Sequence, residues 1–169
     1  MDELVERLGR LEQRIDEAES RLAIFELKAR YGDAVDRRFH RGNLAEPAVV
    51  AAAAREASLM FTPDGVWDGG PALGRSVGRD AIAERLARPT LRFSRHLFVK
   101  PRLTIDGDTA MGSWDLLVPC LDHDGGATWM AGYEDDTYRR IDGVWLHATM
   151  QLTTFFVAPV TEGWGRIFA

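Results

Sequence analysis

The sequence predicts an α+β domain, with helices on one face of a curved, mostly antiparallel sheet. Three observations carry this. Apolar spacing is helical in the first half, it alternates from Ser94 onward, and Asp106-Gly107-Asp108 and Ile141-Asp142-Gly143 cut the second half as hairpin turns. Such a sheet closes into a half-open, cone-shaped barrel whose interior is a favoured place for a small ligand.

The elements follow in order. Leu4, Leu8, Leu11, Ile15, Ala18, Leu22 and Phe25 alternate in steps of four and three, a heptad-like seam on a helix otherwise carrying Glu, Arg and Asp. Two readings stand open: a stripe packed on its own domain, or one whose first turns also meet another subunit. Helical spacing continues through Ile24, Leu27 and Tyr31 to about Phe39, and Gly42-Asn43 ends it. A second helix runs from Pro47 to Phe61, closed by Thr62-Pro63-Asp64-Gly65. Val66-Trp67-Asp68 reads as a short strand. Gly78-Arg79-Asp80 opens a third helix, Ala81 to about Ala87, which stops before Pro89. Four strands follow: Ser94 to Ile105, Thr109 to Leu121, Thr128 to Arg140 and Val144 to Val157.

With 169 residues the chain fits one domain, and 21 basic against 26 acidic residues gives a net charge of −5. That balance argues against a nucleic-acid binder. No apolar run is long enough to span a bilayer, and the charged N-terminus has no signal-peptide core, so no membrane partner and a cytoplasmic location are expected. The single cysteine, Cys120, excludes a disulfide framework. Cys120, Asp122, His123 and Asp124 form the only local metal-ligand set, and a turn holding so few donors is a poor site, so no metal is expected. Nucleotide and serine-hydrolase motifs are absent, and no cofactor is expected.

Four histidines could act as a general base. His123 sits in a solvated turn and His40 at a helix end beside arginines. His147 alternates with Ala148, Met150 and Leu152, so if that apolar set lines the pocket, His147 points away. His96 shares a face with Phe98 and Lys100 and is the strongest candidate. Asp36, near the inner face of the first helix, could orient it or pair on the surface with Arg37 or Arg38. The aromatic residues, Trp67 and Trp114 among them, are core before they are stacking platforms.

The order of several short segments resembles the SnoaL-like family of the nuclear-transport-factor-2-like superfamily. They are Tyr31-Gly32-Asp33-Ala34-Val35-Asp36-Arg37, Leu59 to Trp67, Gly78-Arg79-Asp80-Ala81-Ile82, Arg95-His96, Gly132-Tyr133-Glu134-Asp135 and Arg140-Ile141-Asp142-Gly143-Val144-Trp145. In motif the chain is closest to the bile acid 7α-dehydratases and lindane dehydrochlorinases, and more distantly to scytalone dehydratases. The resemblance implies a cone domain over 22–159, an N-terminal helical extension over 1–21 and a C-terminal tail over 160–169. It implies a cofactor-free elimination from a small hydrophobic ring substrate. His96 would take the proton and Asp36 would hold it, while Tyr31 matches a pocket tyrosine and Asp115 approximates a further pocket acid. Met150 stands where those lyases carry an arginine, which leaves Trp114, Phe98, Met150, Ala148 and Leu152 as expected pocket residues. An isomerase or polyketide cyclase with the same pair, or a non-catalytic binder of hydrophobic ligands, is the alternative. The resemblance also implies a homotrimer, with a homodimer as alternative, to which the N-terminal seam and the tail Val160 to Trp164 could contribute.

Overall fold

The computed structural model describes residues 2–160. Helix α1 (Asp2–Asp36) is continuous. It ends at Asp36 rather than near Phe39, because Phe39–His40 (β1) and Asn43–Leu44 (β2) pair as a small hairpin around Arg41 and Gly42, both at positive φ. Pro47, lacking an N–H that would have no partner anyway, opens α2 (Pro47–Leu59). Strand β3 (Phe61–Asp68), the short helix α3 (Gly70–Leu73), β4 (Arg75–Val77) and α4 (Arg79–Leu86) follow. The remainder is sheet: β5 (Phe93–Ser94), β6 (Leu97–Asp106), β7 (Thr109–Leu121), β8 (Ala127–Ile141) and β9 (Val144–Pro159).

The main sheet runs β4-β3-β9-β8-β7, and both β5 and β6 pair with β7. Among the described residues only β3 and β9 pair in parallel; all other neighbours are antiparallel. The curled sheet forms a half-barrel over which the helices pack, the α+β cone the sequence predicts. The inner stripe of α1 (Ile24, Leu27, Tyr31, Ala34, Val35) meets Ala54 and Ala57 of α2 and Ile82 of α4. Together they cover Phe61, Trp114, Tyr138, Trp145 and Met150 of the sheet. Each large apolar side chain buried there contributes about 1.5–3 kcal/mol.

Two irregularities in the β8–β9 ladder decide which side chains point inward. At Ala131/Gly132 the register shifts, and a Cβ on Gly132 would lie 2.2 Å from the Thr153 carbonyl oxygen, so only glycine fits this close approach. The second shift pairs Tyr138 with His147 but Thr137 with Thr149, leaving Ala148 as the extra residue. A β-bulge of this kind reverses the inward phase. His147 is therefore fully buried, and so is Met150, whereas plain alternation puts the two on opposite faces. Among the described residues no helix is long and apolar enough to cross a membrane. Of the expected tail only Val160 is described, its N–H donating to the Ala127 carbonyl at 2.9 Å; residues 161–169 lie outside the described residues.

Candidate active site

Asp36 occupies the last turn of α1, where the helix dipole disfavours a negative charge. Its surroundings compensate. The backbone N–H of His96 donates to both carboxylate oxygens at 3.1 Å, and the Arg95 guanidinium lies 3.3 Å away. The His96 ring completes the arrangement, with Nδ1 2.7 Å from Asp36 Oδ1. A carboxylate can only accept, so Nδ1 carries the hydrogen, and in the neutral ring the lone pair is then on Nε2. His96 lies between β5 and β6, outside the regular strand that alternation suggests. Its ring stacks at 22° on Phe98, whose edge sits 3.3 Å from where a Cβ of Gly32 would be. Gly32 thus lets α1 approach Phe98 and holds Asp36 over His96.

His96 lines a cavity of about 310 Å³ walled by residues of α1, α4, β7, β8 and β9. That volume is at the low end for small-molecule sites. Apolar side chains dominate the wall, including Leu73, Leu86, Leu91, Leu116, Met130 and Leu152. Ionisable and phenolic groups reach it at His96, Tyr31, Arg38, Arg85 and Glu134, and Thr90, Ser94, Thr128 and Thr154 add hydroxyls. Tyr31 is buried and accepts from Trp67 Nε1 at 3.1 Å, which leaves its own hydrogen to donate. Burial first, and then the charge of Glu134, push its phenol far above the ordinary range, so it stays protonated. Arg38 donates from Nε to the Val35 carbonyl at 2.6 Å and from Nη1 to the Leu86 carbonyl at 2.9 Å. It thereby caps the ends of α1 and α4 while keeping a cation at the cavity wall.

Several expected pocket residues lie elsewhere. Asp115 alternates with the inward Trp114 and Leu116 and so faces outward, held 2.8 Å from both Lys100 and Arg102. Hydrogen bonds from those two cations keep its carboxyl below the usual range, the opposite of a protonated pocket acid. Lys100 does not share the face of His96, because a bulge at Lys100, with φ of 49°, shifts the β6 register. Trp114 and Met150 fill the core beneath the cavity, Phe98 packs behind His96, and Ala148 is the bulge residue. Of the five expected pocket residues only Leu152 lines the cavity.

Behind Glu134 stands a buried network that sequence reasoning misses. Lys28 donates to Glu134 Oε2 at 2.5 Å and to Asp136 Oδ2 at 2.6 Å. Tyr138 also donates to Asp136, and Trp114 Nε1 donates to Tyr138. Burial disfavours the ammonium, but Asp136 and Glu134 outweigh it and Lys28 remains charged. Burial likewise pushes the Asp136 carboxyl up, partly offset by Lys28. A signal for the network exists: Lys28 sits on the inner stripe with Ile24 and Tyr31, and Glu134 and Asp136 alternate in phase with Gly132 and Tyr138.

His147 packs against Tyr31, Phe61 and Tyr138, and neither ring nitrogen has a hydrogen-bond partner among the described residues. Burial, reinforced by Lys28, depresses its pKa well below the ordinary value, so it is neutral when folded. Below about pH 6.5 the unfolded chain takes up a proton there that the native chain does not. Between pH 7.5 and 5.5 this removes about 1.4 kcal/mol of stability. Asp136, with its raised pKa, works in the opposite direction as pH falls. Urea unfolding of wild type and His147→Leu at the two pH values checks the sign: the variant should lose about 1.4 kcal/mol less. Equal losses would mean that His147 can be protonated in the folded protein.

The chain belongs to the SnoaL-like domain family, which it matches over residues 16–151. Among solved structures it is similar to a type 2 hexachlorocyclohexane dehydrochlorinase (LinA), with 20% identity, a TM-score of 0.71, and coverage of 86% of this chain and 92% of that one. The type 3 LinA of Novosphingobium barchaimii LL02 gives 19% identity and a TM-score of 0.71 over 86% and 93% of the two chains. A protein of Novosphingobium aromaticivorans DSM 12444, provisionally described as a scytalone dehydratase, gives 19% identity and 0.68 over 85% and 88%. At these identities the likeness is one of fold. A comparison with curated protein sequences finds no match.

Proposed function

We propose that this protein is a cofactor-free lyase that eliminates water from a small, hydrophobic, ring-containing molecule. One observation carries the reading: His96 lines a mostly apolar cavity with its Nδ1 2.7 Å from Asp36 Oδ1. Nε2 takes a proton from the carbon next to the one that bears the departing hydroxyl. The C–H electron pair becomes the new double bond as the C–O bond breaks, and the departing hydroxyl takes the proton from the His96 imidazolium and leaves as water, which restores the base. Asp36 holds the ring tautomer and stabilises the imidazolium that forms.

Help for the leaving group comes from the other polar points of the wall. No cation lines the cavity from the described residues of β9, where Met150 is core, but Arg38, just past α1, and Arg85, in the last turn of α4, both do. Tyr31 donates a hydrogen bond to the leaving oxygen. General acid–base assistance supplies about 10²–10⁴-fold, so positioning and exclusion of water must provide the rest. Tyr31→Phe keeps the ring contacts and removes the donor, together with the oxygen that accepts from Trp67 Nε1. It should lower kcat about a hundredfold with little change in melting temperature; an unchanged kcat would take Tyr31 out of the mechanism.

A panel of hydroxylated ring ketones and steroids, analysed by mass spectrometry, tests the proposal. A product lighter by one water supports it. A product of unchanged mass but altered structure would assign an isomerase or cyclase using the same pair, and tight binding without turnover would assign a ligand carrier.

A further inference from the structure

We propose that the N-terminal part of α1 is a parallel coiled-coil seam that joins this chain to a second copy of itself. Residues 3–19 of the helix are exposed on every side, and burial begins only at Ser20. On the side facing the domain, Ser20, Ile24 and Leu27 are buried, and Arg140 reaches Asp16 at 2.6 Å. The other side presents Leu4, Leu8, Leu11, Ile15 and Leu22 to solvent, at 62, 51, 41, 56 and 61% exposure. A lone helix of this length is marginal in water, and Gly9 weakens this one further.

Charge placement selects the occupant. With Leu8, Ile15 and Leu22 at the a positions and Leu4, Leu11, Ala18 and Phe25 at d, the flanking g positions are Arg7, Arg14 and Arg21. The flanking e positions of the later heptads are Glu12, Glu19 and Glu26. Two such helices lying parallel and in register put each g arginine beside the e glutamate five residues later on the other copy: Arg7 by Glu12, Arg14 by Glu19, Arg21 by Glu26. An antiparallel pair would face arginine with arginine and glutamate with glutamate. Arg7, Arg14, Glu12 and Glu19 make no ion pair among the described residues, so these charges are available to a partner. The seam spans about 32 Å at 1.5 Å per residue. It runs onto the domain, where Phe25 lines one groove with the half-exposed Leu97 and Val99 of β6. Parallel pairing sets the two domains side by side at the same end of the coil.

Sedimentation and light scattering at micromolar concentration test this on the full chain. Wild type should be an oligomer, and Leu8→Asp/Ile15→Asp should fall to monomer mass while the domain's melting transition persists. The acidic variant Arg7→Glu/Arg14→Glu and the basic variant Glu12→Arg/Glu19→Arg should each dissociate alone and associate when mixed. Leu8→Cys should form an intermolecular disulfide under mild oxidation, since parallel register brings the two a positions together. A monomeric wild type, or an Asp variant that keeps the wild-type mass through its sheet face, overturns the proposal. So do charge variants that fail to pair, or a Leu8→Cys chain that does not cross-link.

Discussion

His96→Gln should lower turnover at least about a hundredfold while the protein remains folded. Glutamine keeps a polar group of similar reach but has no lone-pair nitrogen able to take a proton at neutral pH. The variant gives up the ring stack on Phe98, and the site is partly open to the cavity, so the stability cost is small beside the loss of rate. Asp36→Asn should also lose rate, because an amide can present its NH₂ to Nδ1 and favour the wrong tautomer. Asp115→Asn should leave activity within about twofold of wild type, since its carboxylate faces Lys100 and Arg102 on the outer surface. Parallel steady-state assays of the three variants separate the roles. A His96→Gln chain with near-normal turnover would remove the base from the mechanism.

Lys28→Met should be the most destabilising single change in the cavity region, by about 3–5 kcal/mol. The side-chain volume is nearly conserved, so the cost is electrostatic. Glu134 and Asp136 would be left facing each other in a buried site without the ammonium that neutralises them. The dependence on pH distinguishes this from a packing defect. The unpaired carboxyls would be pushed up in the folded variant, so their cost disappears as they are protonated, and the gap to wild type should narrow as pH falls toward about 5. Urea unfolding at pH 7.5 and 5.5 measures it. A gap that does not change with pH would mean that volume, not charge, carries the loss.

Much of the architecture was legible because turn chemistry and spacing agree locally. Asp106-Gly107-Asp108 and Ile141-Asp142-Gly143 mark the β6–β7 and β8–β9 turns, and β7 spans Thr109–Leu121 as its alternation predicts. What was not legible comes from one-residue irregularities. The extra Ala148 in β9 and the left-handed Lys100 in β6 each reverse the inward phase, which is why His147 is core and Lys100 is surface. Pro101, which has no N–H for the ladder, is a local signal for the bulge in β6, whereas none announces the extra Ala148 in β9. In the site, Asp36 and His96 follow from residue type, position and motif order, whereas the pairing of Lys28 with Glu134, 106 positions apart, forms only when the cone brings distant residues together. A lysine on an apolar helix stripe was the clue available, and such a residue demands a buried counter-charge.

The most direct test is the fate of one hydrogen. A hydroxylated ring substrate from the panel, deuterated at the carbon next to the hydroxyl-bearing one, is incubated with wild type and with His96→Gln, and the product is analysed by mass spectrometry. The account predicts that wild type forms a dehydrated product that has lost the deuteron to solvent, more slowly than the unlabelled compound reacts, and that His96→Gln forms little or none. A product that keeps its deuterium, or one formed equally fast by His96→Gln, would contradict proton abstraction by His96.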